Sequence, residues 1–173
     1  AEVLGYSAKG LFSSSFGDKP SSIKEITVAK AIARTNDSMS MFEKLSRVSD
    51  NMLLFTAGFV STATEKYKVV LGGGTQMSAA VLILDTLKRD QPELLSDFVA
   101  ENCALLTTTW VYNDPNSDIA AILAQAKIGI SGFYSEFNFS SAKLPPLKLY
   151  DNGEAKEGVG MGAALGHALL NGF

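Results

Sequence analysis

A glycine-rich turn is the first feature of the sequence that could do chemistry. Gly72, Gly73, Gly74 and Thr75 follow an apolar run, and Gln76 comes shortly before a stretch with helical spacing that begins near Ser78. Glycines let the backbone approach a ligand closely, and the free N–H groups at a helix start favour an anion. The lysine of a Walker motif is absent. The turn predicts a phosphate or ribose site, or else a tight strand-to-helix turn that binds nothing.

A second glycine cluster surrounds an acidic residue near the end of the chain. Glu157 is followed by Gly158, Gly160 and Gly162, just before a predicted helix. The helix dipole favours the carboxylate form there, and an ionised Glu among glycines could take a proton from a ligand. Alternatively, the charge only stabilises the helix start. Gly158, Gly162 and Gly166 also lie four residues apart, which is typical of close helix packing.

Hydroxyl and carboxylate side chains supply further candidate ligand contacts. Thr108 and Thr109 end a predicted strand, and ligands bind at strand C-termini in open parallel sheets. Threonines are also simply good strand formers. Ser14 and Ser15 could form a phosphate-contacting turn or a solvated loop. Asp50 could bind a ribose or form a turn.

Strands and helices must alternate to position these residues. The patterns predict strands over residues 67–71, 104–109 and 128–139, and a loop over residues 143–151. They predict helices over residues 23–33, 39–47, 53–64, 78–88, 92–102, 119–123 and 159–170. This alternation predicts an α/β fold, a three-layer αβα sandwich with a mainly parallel, Rossmann-like sheet. We expect one domain over residues 1–173. The opening residues read as a helix end capped by Gly5, which predicts that the chain is the C-terminal half of a longer protein.

Composition limits the classes of partner. The chain has 173 residues, 46% hydrophobic and 19% charged, as in ordinary globular domains. A net charge of −3 provides no basic field for nucleic acid or for a membrane surface. One cysteine excludes an internal disulfide and favours a reducing compartment, so we expect a cytoplasmic protein. One cysteine and one histidine cannot build a zinc site, and we expect Cys103 to be an inert core residue.

Five segments, taken in order, resemble one enzyme family. Residues 69–80 resemble the GGTQM segment of the archaeal and cyanobacterial branch of the nicotinate-nucleotide–dimethylbenzimidazole phosphoribosyltransferases. Residues 107–115 resemble that branch's TTRW…DP segment, and residues 156–164 its KEGVGAGGA ending, itself similar to the GEGxGAAL of the bacterial enzymes. Residues 13–15 and 48–52 resemble SSS and VGDPM. Two departures are an absent GGTTTA segment, which supplies part of the family's phosphate cradle, and Asn51 in place of a proline.

The resemblance implies a reaction in the assembly of the cobalamin lower ligand. The phosphoribosyl group of nicotinate mononucleotide would pass to a benzimidazole-type base, with Glu157 as the general base. The 5′-phosphate would be anchored by glycine amides and hydroxyls at the candidate positions named above. The family needs no metal or redox cofactor, and the resemblance favours a homo-oligomer, a dimer. The alternative is a nucleotide- or phosphate-binding module without turnover, or an incomplete half of an enzyme.

Overall fold

The computed structural model describes residues 1–8, 10–12, 22–153 and 160–173, with the backbone alone for residues 22–25. In chain order the elements are α1 (Ser22–Ile32), α2 (Met41–Val48), α3 (Asn51–Ala63), β1 (Val69–Gly72), α4 (Thr75–Asp90), β2 (Cys103–Thr108), α5 (Thr109–Tyr112), α6 (Ile119–Leu123), β3 (Ser131–Ser135), α7 (Pro145–Asp151) and α8 (Met161–Leu170). Short 3₁₀ helices cover Glu2–Leu4, Pro92–Leu95 and Ala100–Asn102. Within these ranges, no helix combines the length and the apolar character that a bilayer crossing needs.

The described strands form a parallel sheet in the order β1-β2-β3. Gly72 is in register with Leu106, which is in register with Phe133 on the other side. Helices connect the parallel neighbours, as crossover connections require. Helix α8 packs across one face of the sheet, and α4 lies between α3 and α6 in the layer on the other face. The predicted α/β class and parallel sheet are confirmed.

The core lies between the sheet and α4. Along β2, Cys103, Leu105 and Thr107 point into this core, whereas Ala104 and Leu106 point towards α8, because successive strand residues face opposite sides. Every residue of α4 from Ala80 to Leu87 is buried. A helix that is enclosed on all sides must be apolar all round, and this one is nearly so.

A buried hydrogen-bond network attaches the N-terminal segment to α4. The Tyr6 hydroxyl donates to Asp85 Oδ2 at 2.6 Å, and the backbone N–H of Lys127 donates to Asp85 Oδ1 at 2.7 Å. Thr86 Oγ1 donates to the Tyr6 hydroxyl oxygen at 3.2 Å. Burial, reinforced by the bond to Asp85, raises the pKa of Tyr6 to about 12. Both oxygens of the buried carboxylate are therefore satisfied.

Local capping signals position several helix starts. Ser40 and Glu43 form a capping box on α2, with Ser40 N donating to Glu43 Oε2 at 2.8 Å. Asp118 Oδ1 accepts from Ala121 N at 2.8 Å and caps α6. Gly5 ends the first 3₁₀ helix with a φ of 86°, which confirms the left-handed cap predicted there.

Two predicted segments are wrong. Residues 143–151 were expected to form a loop, but Pro145–Asp151 is helix α7, since prolines in the first turn lose no intrahelical hydrogen bond. Residues 92–102 were expected to form one helix, but two 3₁₀ helices occupy them. Thr64 explains this break, because its hydroxyl accepts from Val99 N at 3.1 Å and its carbonyl accepts from Asn102 Nδ2 at 2.8 Å.

Candidate functional site

The glycine turn lies at the C-terminal end of β1, as predicted. Gly72 ends the strand, Gly73 N donates to Leu106 O at 3.1 Å, and Gly74 is the N-cap of α4. The first bond of the helix runs from Ser78 N to Gly74 O at 3.0 Å. The amides before Ser78 have no acceptor within the helix by its geometry, and no side chain in the described part of the chain caps them. The start of α4 therefore offers free donors to an anion.

A buried hydroxyl without a partner lies beside this helix start. Thr107 is 1% exposed, and its Oγ1 has no hydrogen-bond partner among the described residues. A Cβ built on Gly74 would lie 4.0 Å from this oxygen. Leaving a buried hydroxyl unpaired costs ~1–3 kcal/mol. A ligand oxygen that accepted a hydrogen bond from the Thr107 hydroxyl would remove that cost.

Asp50 reaches the same turn from the start of α3. Its Oδ1 accepts from Leu53 N at 2.8 Å and caps the helix. Its Oδ2 accepts from Gln76 Nε2 at 3.5 Å, which is the long end of the hydrogen-bond range. This capping role was not predicted from the sequence, which left Asp50 as either a ribose ligand or a turn former. The second oxygen remains at the glycine turn, where a ribose hydroxyl could compete with Gln76.

The second glycine cluster packs against the first. A Cβ on Gly72 would lie 3.2 Å from Gly160 O and 2.8 Å from Ala163 Cβ. On α8, Gly162 lies against the backbone of Thr107, and Gly166 lies against the Leu106 side chain. The close-packing interpretation of the four-residue spacing is confirmed for Gly162 and Gly166. Gly160 is also brought to the edge of the candidate site.

Four predicted site residues lie outside the described part of the chain. They are Glu157, Gly158, Ser14 and Ser15. Their proposed roles stay predictions. In the sequence, Glu157 precedes Gly160 by three positions, and Gly160 is the residue that meets Gly72.

The predicted threonines are next to the site but already have hydrogen-bond partners. Thr108 Oγ1 accepts from Val111 N at 3.4 Å and caps α5, and Thr109 Oγ1 accepts from Asn113 Nδ2 at 3.2 Å. The hydroxyl that faces the start of α4 belongs instead to Thr107, which sequence reasoning did not select. The period-two alternation of β2 could have identified it, because Thr107 shares a face with Leu105 and Cys103.

An aromatic cluster beside the end of β2 was also missed. Trp110 stacks on Phe139 with centroids 5.2 Å apart and planes 10° apart, and Tyr150 lies 5.2 Å from the Trp110 ring. Asp151 joins the cluster, because Oδ1 accepts from Trp110 Nε1 and Oδ2 accepts from Phe139 N, both at 2.9 Å. Helix α7 thereby fixes the segment that follows β3 to the start of α5.

An open depression beside the end of α5 is acidic. Leu11, Asn113, Asp114 and Asp118 line it. The two carboxylates disfavour a phosphate there, so the α4 start is the better anion site. Among the described residues, no group of His, Cys, Asp or Glu side chains has the arrangement to hold a metal ion.

Comparison with known proteins finds relatives of greater length. The chain is 36% identical over 171 residues to a UPF0284 protein of Sulfolobus acidocaldarius, covering 98% of this chain and 46% of that protein. It is 34% identical over 174 residues to a UPF0284 protein of Aeropyrum pernix, covering 99% and 46%. A UPF0284 protein of Methanocaldococcus jannaschii is 35% identical over 172 residues, covering 97% and 47%. The chain spans about half the length of these relatives. No protein-family model matches it.

Proposed function

We infer that this chain carries the phosphate-anchoring part of a phosphoribosyl-transfer site. The donor is nicotinate mononucleotide, the acceptor is a benzimidazole-type base, and Glu157 is the general base. The names of the relatives state no reaction, so the proposal rests on the residues of the chain itself. The single observation that carries it is the Thr107 hydroxyl, which has no partner among the described residues and lies beside the start of α4, where no described side chain caps the helix.

Three of the resembling segments meet at this point of the fold, which supports the proposal. The glycine turn lies against Gly160, and the end of β2 supplies Thr107 beside Gly74. Asp50, from a fourth segment, contacts Gln76. Amides and a hydroxyl can hold a phosphate that does not react, and such an anchor positions the sugar for the reaction. In this proposal, Asp50 Oδ2 accepts a hydrogen bond from a ribose hydroxyl.

The proposed reaction exchanges one glycosidic C–N bond for another. The bond between the anomeric carbon and the nicotinate nitrogen breaks, and the azole nitrogen forms a bond to the same carbon. Glu157 takes the azole proton, and nicotinate leaves with the electron pair of the broken bond. Since the pyridinium nitrogen of the donor is positively charged, its departure as neutral pyridine needs no protonation. One carboxylate is therefore enough for the proton transfer.

The test compares Glu157→Gln with the wild type in the complete protein that carries this chain. Nicotinate release is followed by chromatography with nicotinate mononucleotide and a panel of benzimidazoles. We expect turnover to fall by about 10²–10⁴-fold, because the amide cannot accept the azole proton. Donor affinity, measured by calorimetry, should change little, since Glu157 is not among the groups proposed to hold the phosphate.

Glu154→Gln is the matched control, because it makes the same change three positions earlier in the sequence. It should keep wild-type turnover. If Glu157 only favours a helix start, its replacement should cost ~0.3–1 kcal/mol of stability and leave turnover intact. Near-wild-type turnover of Glu157→Gln removes this residue from the mechanism. Wild-type protein that binds the donor but turns over none of the bases would instead be a nucleotide-binding module.

A further inference from the structure

Two tyrosine rings stack on each other near the end of β2. Tyr112 is the last residue of α5, Tyr134 lies on β3, and their ring centroids are 4.2 Å apart with planes 13° apart. This is a tight stack, since aromatic pairs in proteins usually have centroids about 4.5–7 Å apart. Tyr112 is 47% exposed and Tyr134 43%. We call these two side chains the tyrosine pair, and a further flat ring stacked on it would cover its exposed surface.

The tyrosine pair lies beside the candidate anion site. Tyr134 is in register with Thr107, and neighbouring strands of a sheet are ~4.8 Å apart. Both residues point to the face that α6 covers, because a Cβ on Gly132, two residues before Tyr134, would meet Leu123 of α6. Across β2 from the tyrosine pair, a Cβ on Gly74 would lie 4.0 Å from Thr107 Oγ1. The start of α4 and the tyrosine pair are therefore neighbours at one edge of the sheet.

The surroundings of the tyrosine pair are negatively charged. Tyr112 lines the acidic depression together with Asp114 and Asp118. Carboxylates disfavour a ring that carries a negative substituent, as nicotinate does, and they favour a ring that carries an N–H donor, as a benzimidazole does. The charge around the tyrosine pair thus distinguishes between the two rings of the proposed reaction.

The direction of charge movement in the reaction supports the same choice. The pyridinium ring of the donor is positive, and aromatic rings and carboxylates attract a cation. Because the donor ring loses this charge as it leaves, holding it there would stabilise the donor more than the transition state. The azole, in contrast, gains positive charge as its nitrogen attacks, until Glu157 takes the proton. Its transition state is therefore stabilised by the same surroundings.

We propose that the tyrosine pair is the stacking platform for the acceptor base, and that the carboxylates beside it restrict the acceptor to flat bases without a negative charge. The inference rests on the proposed transfer reaction for the identity of the base. Tyr112 and Tyr134 bind the ring by stacking and take no part in proton transfer. Their replacement should therefore change the affinity for the acceptor and leave the affinity for the donor unchanged.

Calorimetry on the complete protein that carries this chain tests the proposal. Dimethylbenzimidazole is titrated with and without saturating inorganic phosphate, and nicotinate mononucleotide is titrated separately. Tyr134→Leu removes the ring but keeps an apolar side chain, so the Kd and the KM for the base should rise by about 5- to 10-fold. The Kd for nicotinate mononucleotide should stay within about two-fold. Tyr134→Phe keeps the ring and should bind the base as the wild type does.

A carboxylated benzimidazole tests the restriction by charge. The wild type should bind it about 5- to 10-fold more weakly than dimethylbenzimidazole. Asp118→Asn should reduce this difference, and asparagine can still cap α6. Equal affinity of the wild type for the two bases would overturn the role given to the carboxylates.

Phe133→Leu is the matched control. Phe133 precedes Tyr134 on β3 and is 57% exposed, but it is in register with Leu106, which points towards α8. This variant should keep the wild-type Kd for the base. A base Kd that is unchanged in Tyr134→Leu, or raised equally in Phe133→Leu, overturns the proposal. So does a wild-type protein that binds no base up to about 1 mM in either condition.

The two readouts separate this proposal from the transfer reaction. Base binding that depends on Tyr134 in a protein without turnover would support the stacking platform and count against the reaction. Turnover with a wild-type KM for the base in Tyr134→Leu would support the reaction and refute the platform.

Discussion

Thr107 and Asp85 are both buried polar residues, and they differ in what surrounds their oxygens. The Asp85 carboxylate accepts from Tyr6 and from the Lys127 amide, so its burial is compensated within the fold. The Thr107 hydroxyl has no such partner in the described part of the chain. Buried hydroxyls are rarely left unpaired in native proteins. Asp85 therefore has a structural role, and the unmatched hydroxyl is the reason for the binding role proposed for Thr107.

Thr107→Val tests that binding role, because valine keeps the shape and removes the hydroxyl. We expect the free energy of unfolding without ligand to rise by ~1 kcal/mol, since the unpaired group is gone. Affinity for inorganic phosphate or nicotinate mononucleotide should fall by about 5- to 10-fold through loss of one hydrogen bond. Urea unfolding and calorimetry give the two quantities.

Thr107→Ser is the control for this substitution. It retains the hydroxyl and loses one methyl group, so it should lose ~1 kcal/mol of stability while keeping ligand affinity. Ligand affinity that is unchanged in Thr107→Val would mean that the hydroxyl has no part in binding. If the hydroxyl binds the ligand, Thr107→Val should gain stability and lose affinity. If it has no part in binding, only the stability should change.

At the scale of elements, the contact between α8 and β2 holds the site together. Gly162 lies directly on the Thr107 backbone, and Ala163 with Gly160 covers Gly72. No side chain fits between the helix and the strand at Gly162. The distance of α8 from the sheet therefore sets the position of Gly160 relative to the glycine turn.

Gly162→Ala should move α8 away from the sheet. The new Cβ would overlap the Thr107 backbone, which is fixed by its neighbours in the sheet, so we expect a loss of about 1–3 kcal/mol in the free energy of unfolding. Ala164→Ser on the exposed side of α8 is the control and should cost no more than ~0.5 kcal/mol. Equal unfolding midpoints for the two variants would contradict this packing.

At the scale of the whole molecule, β2 lies at the centre of the sheet and of the core. Its first residue, Cys103, is 5% exposed and is the one cysteine of the sequence. Burial raises the pKa of the Cys103 thiol to about 11. Because the thiolate is the reactive form, this thiol should report only on openings of the structure that expose β2.

Labelling of Cys103 by an aromatic disulfide at pH 8 should therefore be slow in the native protein. Its dependence on urea should follow the loss of circular dichroism. The fold favours the protonated thiol, so this contribution to stability is present below the ordinary pKa of 9.0 and is lost as pH rises towards about 11. Rapid labelling without urea would show that β2 opens locally.

The sequence by itself determined the features whose hydrogen bonds are local. The alternation of strands and helices, the glycine turn after β1 and the Gly5 cap could all be predicted, because each depends on neighbouring residues and on fixed backbone periods. The cap of α6 is local in the same way, since Asp118 accepts from Ala121, which is three residues away. Of these features, the glycine turn after β1 belongs to the candidate site, so the sequence alone could locate that part of it.

Only the tertiary structure decided what the site contains. Gly72 meets Gly160, Asp50 meets Gln76, and Tyr6 meets Asp85 across 79 residues. Thr64 breaks a predicted helix by bonding to Val99, which is 35 residues away. No local pattern encodes such pairs, because they follow from how whole faces of helices and strands pack. The same packing buries the Thr107 hydroxyl with no partner among the described residues. The sequence alone could not show which of the three adjacent threonines would be in that position.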